Sequence, residues 1–180
     1  PAAAVLDQQD VAEAAQLVAG VGDNARVGGV DRRSGGGGDV DAIVHPPPVL
    51  GSELGDDPSV HRPLAMTMNE QMEFGSDLSF VGAGYANRRT LLPQWISKDW
   101  TFKVWGNEWD GADAVAPILQ RHGARIDTDT CLKVFNASAI NLNLHSHTGG
   151  GLDPAADFVN PRTFELAAAG AFQLVDQRAL

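Results

Sequence analysis

Asp157 to Val175 reads DFVNPRTFELAAAGAFQLV, a loop, a helix and a strand in close succession. Asn160 is placed to cap the helix. Pro161 suits the first helical position, where its missing N–H has no helical partner. Gly170 can close the helix in a left-handed conformation, after which Ala171 to Val175 forms a short apolar strand. Glu165 lies about one turn inside the helix, with Arg162 before it and Asp157 eight residues upstream. A helix N-terminus attracts phosphate, and carboxylates suit the hydroxyls of a ribose or a sugar. The plainer alternative is a helix that only packs on a sheet through Ala167, Ala168 and Ala169.

The same alternation extends upstream. Leu78 to Val81 reads as a buried strand, followed by the loop Gly82 to Asn87 and a helix from about Arg88. Phe102 to Trp105 is a second strand, Ala112 to His122 a second helix, and Ala124 to Ile126 a brief strand. Thr128 or Asp129 is expected to cap a helix over Cys131, Leu132, Val134 and Phe135, and Ile140 to Leu144 is a further strand. Helices alternating with short strands predict an α/β fold: a parallel sheet with right-handed crossovers and helices on both faces. In such sheets ligands bind beyond the carboxyl ends of the strands. The loops that matter are therefore Gly82–Arg89, Gly106–Gly111, His145–Asn160 and the stretch after Val175.

The first third of the chain is different. Residues 8–19 read as a helix with an apolar face of Val11, Ala14, Ala15 and Val18, and Asp39 to Val44 as a short strand stopped by Pro46, Pro47 and Pro48. Between them runs a Gly-rich loop, and residues 49–64 form a Gly/Asp/Pro connector. The division expected is 1–63 as the tail of a preceding domain plus linker, and 64–180 as the domain proper. Pro1 and Leu180 both read as cuts, so the chain is expected to be a fragment.

Composition narrows the function. The 180 residues are 43% hydrophobic, enough for a core, and carry a formal net charge of −10. That charge argues against nucleic acid and anionic membrane surfaces as partners. Cys131 is the only cysteine, so no internal disulfide can form and a reducing, cytoplasmic setting is expected. No apolar run is long enough to span a membrane.

Several residues carry candidate chemistry. Gly82-Ala83-Gly84 with Arg88 and Arg89 can admit and pair a phosphate, although the third glycine of a dinucleotide fingerprint and the lysine of a Walker loop are both absent. The alternative is a tight turn with two solvated arginines. His145-Ser146-His147 follows a strand; with Asp153 or Asp157 the histidines could hold a metal, but no third ligand has diagnostic spacing. Ser146 has no nucleophile-elbow motif around it. Trp105 is expected in the core and Trp109 at a pocket mouth. The sequon Asn136-Ala137-Ser138 reads as chance.

Four blocks, FVGAGYANRR (80–89), KVWGNEWDG (103–111), KVFNASAINLNLHS (133–146) and DFVNPRTFELAAAGAFQLVD (157–176), resemble the CgeB-like glycosyltransferases, and HRPL (61–64) looks like that family's linker into its C-terminal domain. The resemblance covers about residues 40–180. It implies a GT-B fold of two Rossmann-like domains, of which this chain holds an incomplete C-terminal half. That half would bind a nucleotide-diphosphate sugar for transfer to an unknown acceptor, with no essential metal. By this resemblance the donor-binding residues are Gly82, Gly84, Arg88, Arg89, His145, Ser146, Asp157, Asn160, Arg162 and Glu165. Glu165 would hold the ribose, Asp157 the sugar and Arg88 the diphosphate, while the catalytic groups would lie in the missing N-terminal domain. Asp stands at 157 where Glu is commoner, and residues 1–38 fit the family poorly. Two other classes compete: a non-catalytic nucleotide- or sugar-binding module, and a metal-dependent hydrolase built on His145, His147 and Asp157.

Overall fold

The structure, a computed structural model, describes residues 59–146 and 159–176. The expected helix at 8–19, the strand at 39–44, the glycine run, His147, Asp153 and Asp157 lie outside the described residues. Four strands, β1 (Leu78–Val81), β2 (Phe102–Trp105), β3 (Ile140–Asn143) and β4 (Gln173–Val175), form one sheet in the order β2-β1-β3-β4. Every pairing is parallel, with Leu78 opposite Phe102 and Ile140, and Leu142 opposite Leu174. Among the described residues four α-helices accompany them: α1 (Met68–Phe74), α2 (Ala86–Leu91), α3 (Thr128–Ala137) and α4 (Pro161–Ala168). This is the expected Rossmann-like α/β architecture. None of the helices among the described residues is long and apolar enough to cross a membrane.

Strand residues alternate between two faces, and each face buries its own cluster. Leu78, Phe80, Phe102, Val104, Ile140, Leu142 and Leu174 point to one side, where Leu92, Trp95, Val115 and Ile118 cover them. Val81 and Trp105 point to the other, against Phe74 of α1, Leu132 and Phe135 of α3, and Leu166 of α4. Both faces are therefore covered, one by α1, α3 and α4 and the other by the 3-10 turn Leu92–Trp95 and the segment around Val115 and Ile118, as a buried parallel sheet requires. At the amino edge, Asp77 Oδ2 accepts from Thr101 N at 2.7 Å and from Thr101 Oγ1 at 2.8 Å, which clasps the starts of β1 and β2.

The structure corrects the expectations for residues 112–126. Ala112 to His122 is not an α-helix but a run of turns closed by three-residue bonds, such as Val115 N to Ala112 O and Ile118 N to Val115 O. Pro117 explains this, because it removes a helical donor and its ring clashes with the preceding turn. Val115 and Ile118 still reach the core, and Leu119 bridges to Val104 at the sheet edge. A short 3-10 segment, Gln120–Gly123, follows, with Arg121 (φ 48°) and His122 (φ 54°) left-handed. Ala124 to Ile126 forms no strand. The cap of α3 is Asp127 rather than Thr128 or Asp129: its carboxylate accepts from Thr130 N at 2.7 Å. Trp109 is a core residue, 4% exposed, instead of standing at a pocket mouth. Trp105 lies in the core as expected. Strands β3 and β4 are shorter than expected, ending at Asn143 and starting at Gln173.

Candidate functional site

The order β2-β1-β3-β4 sends the chain from β1 to one side and from β3 to the other. Between the carboxyl ends of β1 and β3 lies the point where loops diverge and open sheets hold ligands. Arg88 spans it. Its Nη2 donates to Leu144 O at 2.7 Å, beyond β3, and its Nη1 to Ala83 O at 3.0 Å, beyond β1. The guanidinium stacks over Phe80 and Tyr85, 5.1 and 5.3 Å from the ring centroids. Arg88 is 9% exposed, and its Nε has no hydrogen-bond partner among the described residues. Burial pushes its guanidinium down to about 10; Arg162 adds to that shift, whereas Tyr85 and Asp176 oppose it. Arg88 thus shares one electrostatic neighbourhood with Arg162 and Asp176.

The loops after β1 and β2 are packed onto each other. Gly82 N donates to Trp105 O, and Gly84 N to Asn107 O at 3.0 Å. A Cβ on Gly84 would collide with the Glu108 carbonyl, and Gly106, at φ 121°, leaves no room for one against Gly82 O. Arg89 donates to the carbonyls of Gly84, Glu108 and Asp110. In this structure, Gly82, Gly84 and Arg89 join two loops.

The end of β3 is fixed from several sides. His145, 1% exposed, has its N–H bonded to Asp176 Oδ1 at 2.9 Å and its carbonyl to Asn87 Nδ2 at 2.8 Å. Its Nδ1 lies 2.7 Å from the same Asp176 oxygen, and its Nε2 accepts from Asn160 N at 3.0 Å. Because a backbone amide can only donate, the ring proton sits on Nδ1 and points at Asp176. Ser146, next along, is exposed.

Asn160 begins α4 as expected, its Oδ1 accepting from Thr163 N at 3.2 Å, and Pro161 holds the first helical position. Gly170, at φ 66°, ends the helix region. Asn143 binds this first turn to the sheet: its Nδ2 donates to Thr163 Oγ1 and Gln173 Oε1, both at 2.9 Å, and its Oδ1 accepts from Asn160 Nδ2 at 3.0 Å. Arg162 on this turn and Glu165 three residues further along the helix are paired at 2.6 Å, their side chains 26% and 24% exposed. The Arg162 guanidinium lies 4.8 Å from the Phe135 ring centroid, in the seam between α3 and α4.

Of the expected residues, the structure groups Arg88, His145, Asn160, Arg162 and Glu165 around the carboxyl ends of β1, β3 and β4. Gly82, Gly84 and Arg89 lie on the β1 and β2 side of the same edge, and Ser146 faces outward. Sequence reasoning missed Asn87, Asn143, Thr163, Gln173 and Asp176. One signal was present: INLN (140–143) alternates asparagine with apolar residues in a strand buried on both faces. Among the described residues no three His, Cys, Asp or Glu side chains are grouped to hold a metal ion.

Residues 88–180 match the glycosyl transferase-like family. Over 129 residues the chain is 30% identical to the spore protein CgeB of Bacillus subtilis (strain 168), an alignment taking in 66% of this chain and 40% of that protein. The chain therefore spans well under half the length of that relative. No solved structure matches at a comparable level of significance.

Proposed function

This chain belongs to the glycosyl transferase-like family, and we propose on that footing that its domain binds a nucleotide-diphosphate sugar, which the whole protein transfers to an acceptor. The observation that carries the reading is the Arg162–Glu165 pair, about a quarter exposed, with Arg162 on the first turn of α4 and Glu165 one turn further in. Glu165 accepts the ribose hydroxyls. Arg162 faces the diphosphate directly. Arg88, held by two carbonyls, acts from behind the loop as a fixed positive charge. When the glycosidic bond breaks, charge develops on the departing diphosphate, and preorganised cations stabilise it without reorganising. Asp157 completes the sugar side, and the acceptor site and catalytic base belong to a preceding domain in a GT-B arrangement. No metal is required by this scheme, since arginines supply the positive charge. The setting is the cytoplasm, in keeping with the lone Cys131.

The test is calorimetric titration of the full-length protein with UDP, GDP and TDP sugars. One of them binds, and Glu165→Ala weakens it by about 1–3 kcal/mol, the scale of a polar partner left unsatisfied. Arg162→Gln lowers affinity for the nucleoside diphosphate more than for the nucleoside. Equal affinities of wild type and Glu165→Ala for every sugar nucleotide overturn the assignment. A non-catalytic binding module would bind the same ligands but release no nucleoside diphosphate with any acceptor.

A further inference from the structure

We infer that Asp176 and His145 are positioning residues that set the first turn of α4, and through it Arg162 and Glu165, for the nucleotide. The inference rests on the donor-binding reading above. The chain of contacts is continuous. Asp176, 2% exposed just beyond β4, takes both the backbone N–H and the ring Nδ1–H of His145 on one oxygen. That fixes the ring plane and the tautomer. The opposite ring nitrogen is thereby left as an acceptor, and it takes the N–H of Asn160, the residue that caps α4. Arg162 follows Asn160 by two residues and Glu165 by five, on a helix of eight residues. A helix so short turns or shifts as a body when its first turn is released. The order is also directional: Asp176 fixes His145, and His145 fixes the helix.

The side-chain bonds from Asn143 to Asn160 and Thr163 hold the same turn by its side chains. His145 holds it by its backbone. The two attachments therefore restrain different motions, a slide across the sheet and a lift of the chain entering the helix.

Two substitutions separate the halves of the relay. His145→Gln places an amide oxygen near the position of Nε2, so it keeps the acceptor for Asn160 and gives up the donor to Asp176. His145→Asn places an amide nitrogen near the position of Nδ1, so it keeps the donor and gives up the acceptor. Both lose packing and lower the melting temperature. The full-length variants are compared by hydrogen exchange of the amides of residues 160–166, and by affinity for UDP, GDP and TDP. The expected result is faster exchange in His145→Asn and in Asp176→Ala but near wild-type exchange in His145→Gln. The affinity for whichever diphosphate binds falls about tenfold in the first two and is largely retained in the third. A purely stabilising histidine would make exchange and affinity follow melting temperature across all three variants, and that pattern overturns the inference. Faster exchange with unchanged affinity overturns the positioning role as well. If none of the three diphosphates binds the wild type, the donor reading fails, and equal exchange in His145→Gln and His145→Asn would separately overturn the relay.

Discussion

Arg88 shows how one residue can answer two demands. Its sequence context, a glycine turn after a strand, suggests a side chain open to phosphate. The fold instead draws its guanidinium between Ala83 O and Leu144 O and caps it with Phe80 and Tyr85. Arg88→Ala leaves two carbonyls without their donor, and the expected loss of stability is about 1–3 kcal/mol, read from the urea midpoint. Cys131 makes a second residue-scale case. Burial pushes its thiol up, against the opposing influence of Arg162. A thiol kept protonated is a poor nucleophile. Alkylation of Cys131 by iodoacetamide at neutral pH should be slow in the folded protein and fast in urea. Equal rates would place the thiol at the surface.

At the scale of elements, the helix starts are acid-sensitive. α1 carries a full capping box: Thr67 Oγ1 accepts from Glu70 N, and Glu70 Oε2 accepts from Thr67 N. The Thr67 backbone bond, with help from the Thr67 hydroxyl and Lys133, holds the Glu70 carboxyl down from 4.5 to about 2. The Thr130 backbone N–H likewise lowers Asp127 at the start of α3. Both carboxyls titrate lower in the folded state than in the unfolded chain. Their contribution to stability is therefore complete above the ordinary carboxylate range and is lost as pH falls through it. Stability should decline between pH 4.5 and about 2, and Glu70→Gln with Asp127→Asn should flatten that slope in acid unfolding followed by circular dichroism. At α4 the cap has a different partner set. Asn160→Ala removes the bond to Thr163 N and the one to Asn143, for a cost of about 0.5–2 kcal/mol on the capping scale.

Across the whole molecule, the sheet divides labour between its faces. One face is almost wholly apolar. The other carries Ser79, Asn141, Asn143 and Gln173 beneath α3 and α4, joined by bonds such as Ser79 Oγ to Asn141 Oδ1 at 2.8 Å. Such a buried polar row is stable only when every member is satisfied, so it fixes where the helices above it sit. Ile140, fully buried on the apolar face, should cost about 2–5 kcal/mol when truncated to Ala, measured by chemical denaturation. Asn143→Leu should do its harm elsewhere, by releasing the first turn of α4 and lowering affinity for the nucleotide. An unchanged affinity in that variant would show that α4 is placed without the polar row.

The sequence by itself determined much of the local geometry of this protein: that the short segments 78–81, 102–105, 140–143 and 173–175 become strands, and that Asn160, Pro161 and Gly170 bound a helix, while the same signals also suggested a strand at 124–126 that does not form. Period, caps and turn residues act within a few positions, so they can be read in order along the chain. The alternation of elements also sufficed for a parallel sheet. Pro117 was legible too, yet the apolar spacing around it suggested a helix that the ring does not permit. What only the tertiary structure decided was partnership. His145 meets Asp176 across 31 positions, and Asn87 meets the His145 carbonyl across 58. Arg88 and Arg89 turn toward carbonyls rather than solvent for the same reason. A buried donor takes the acceptor that the packed neighbours present, and which neighbours those are is set by strand order, to which residues close in sequence are blind.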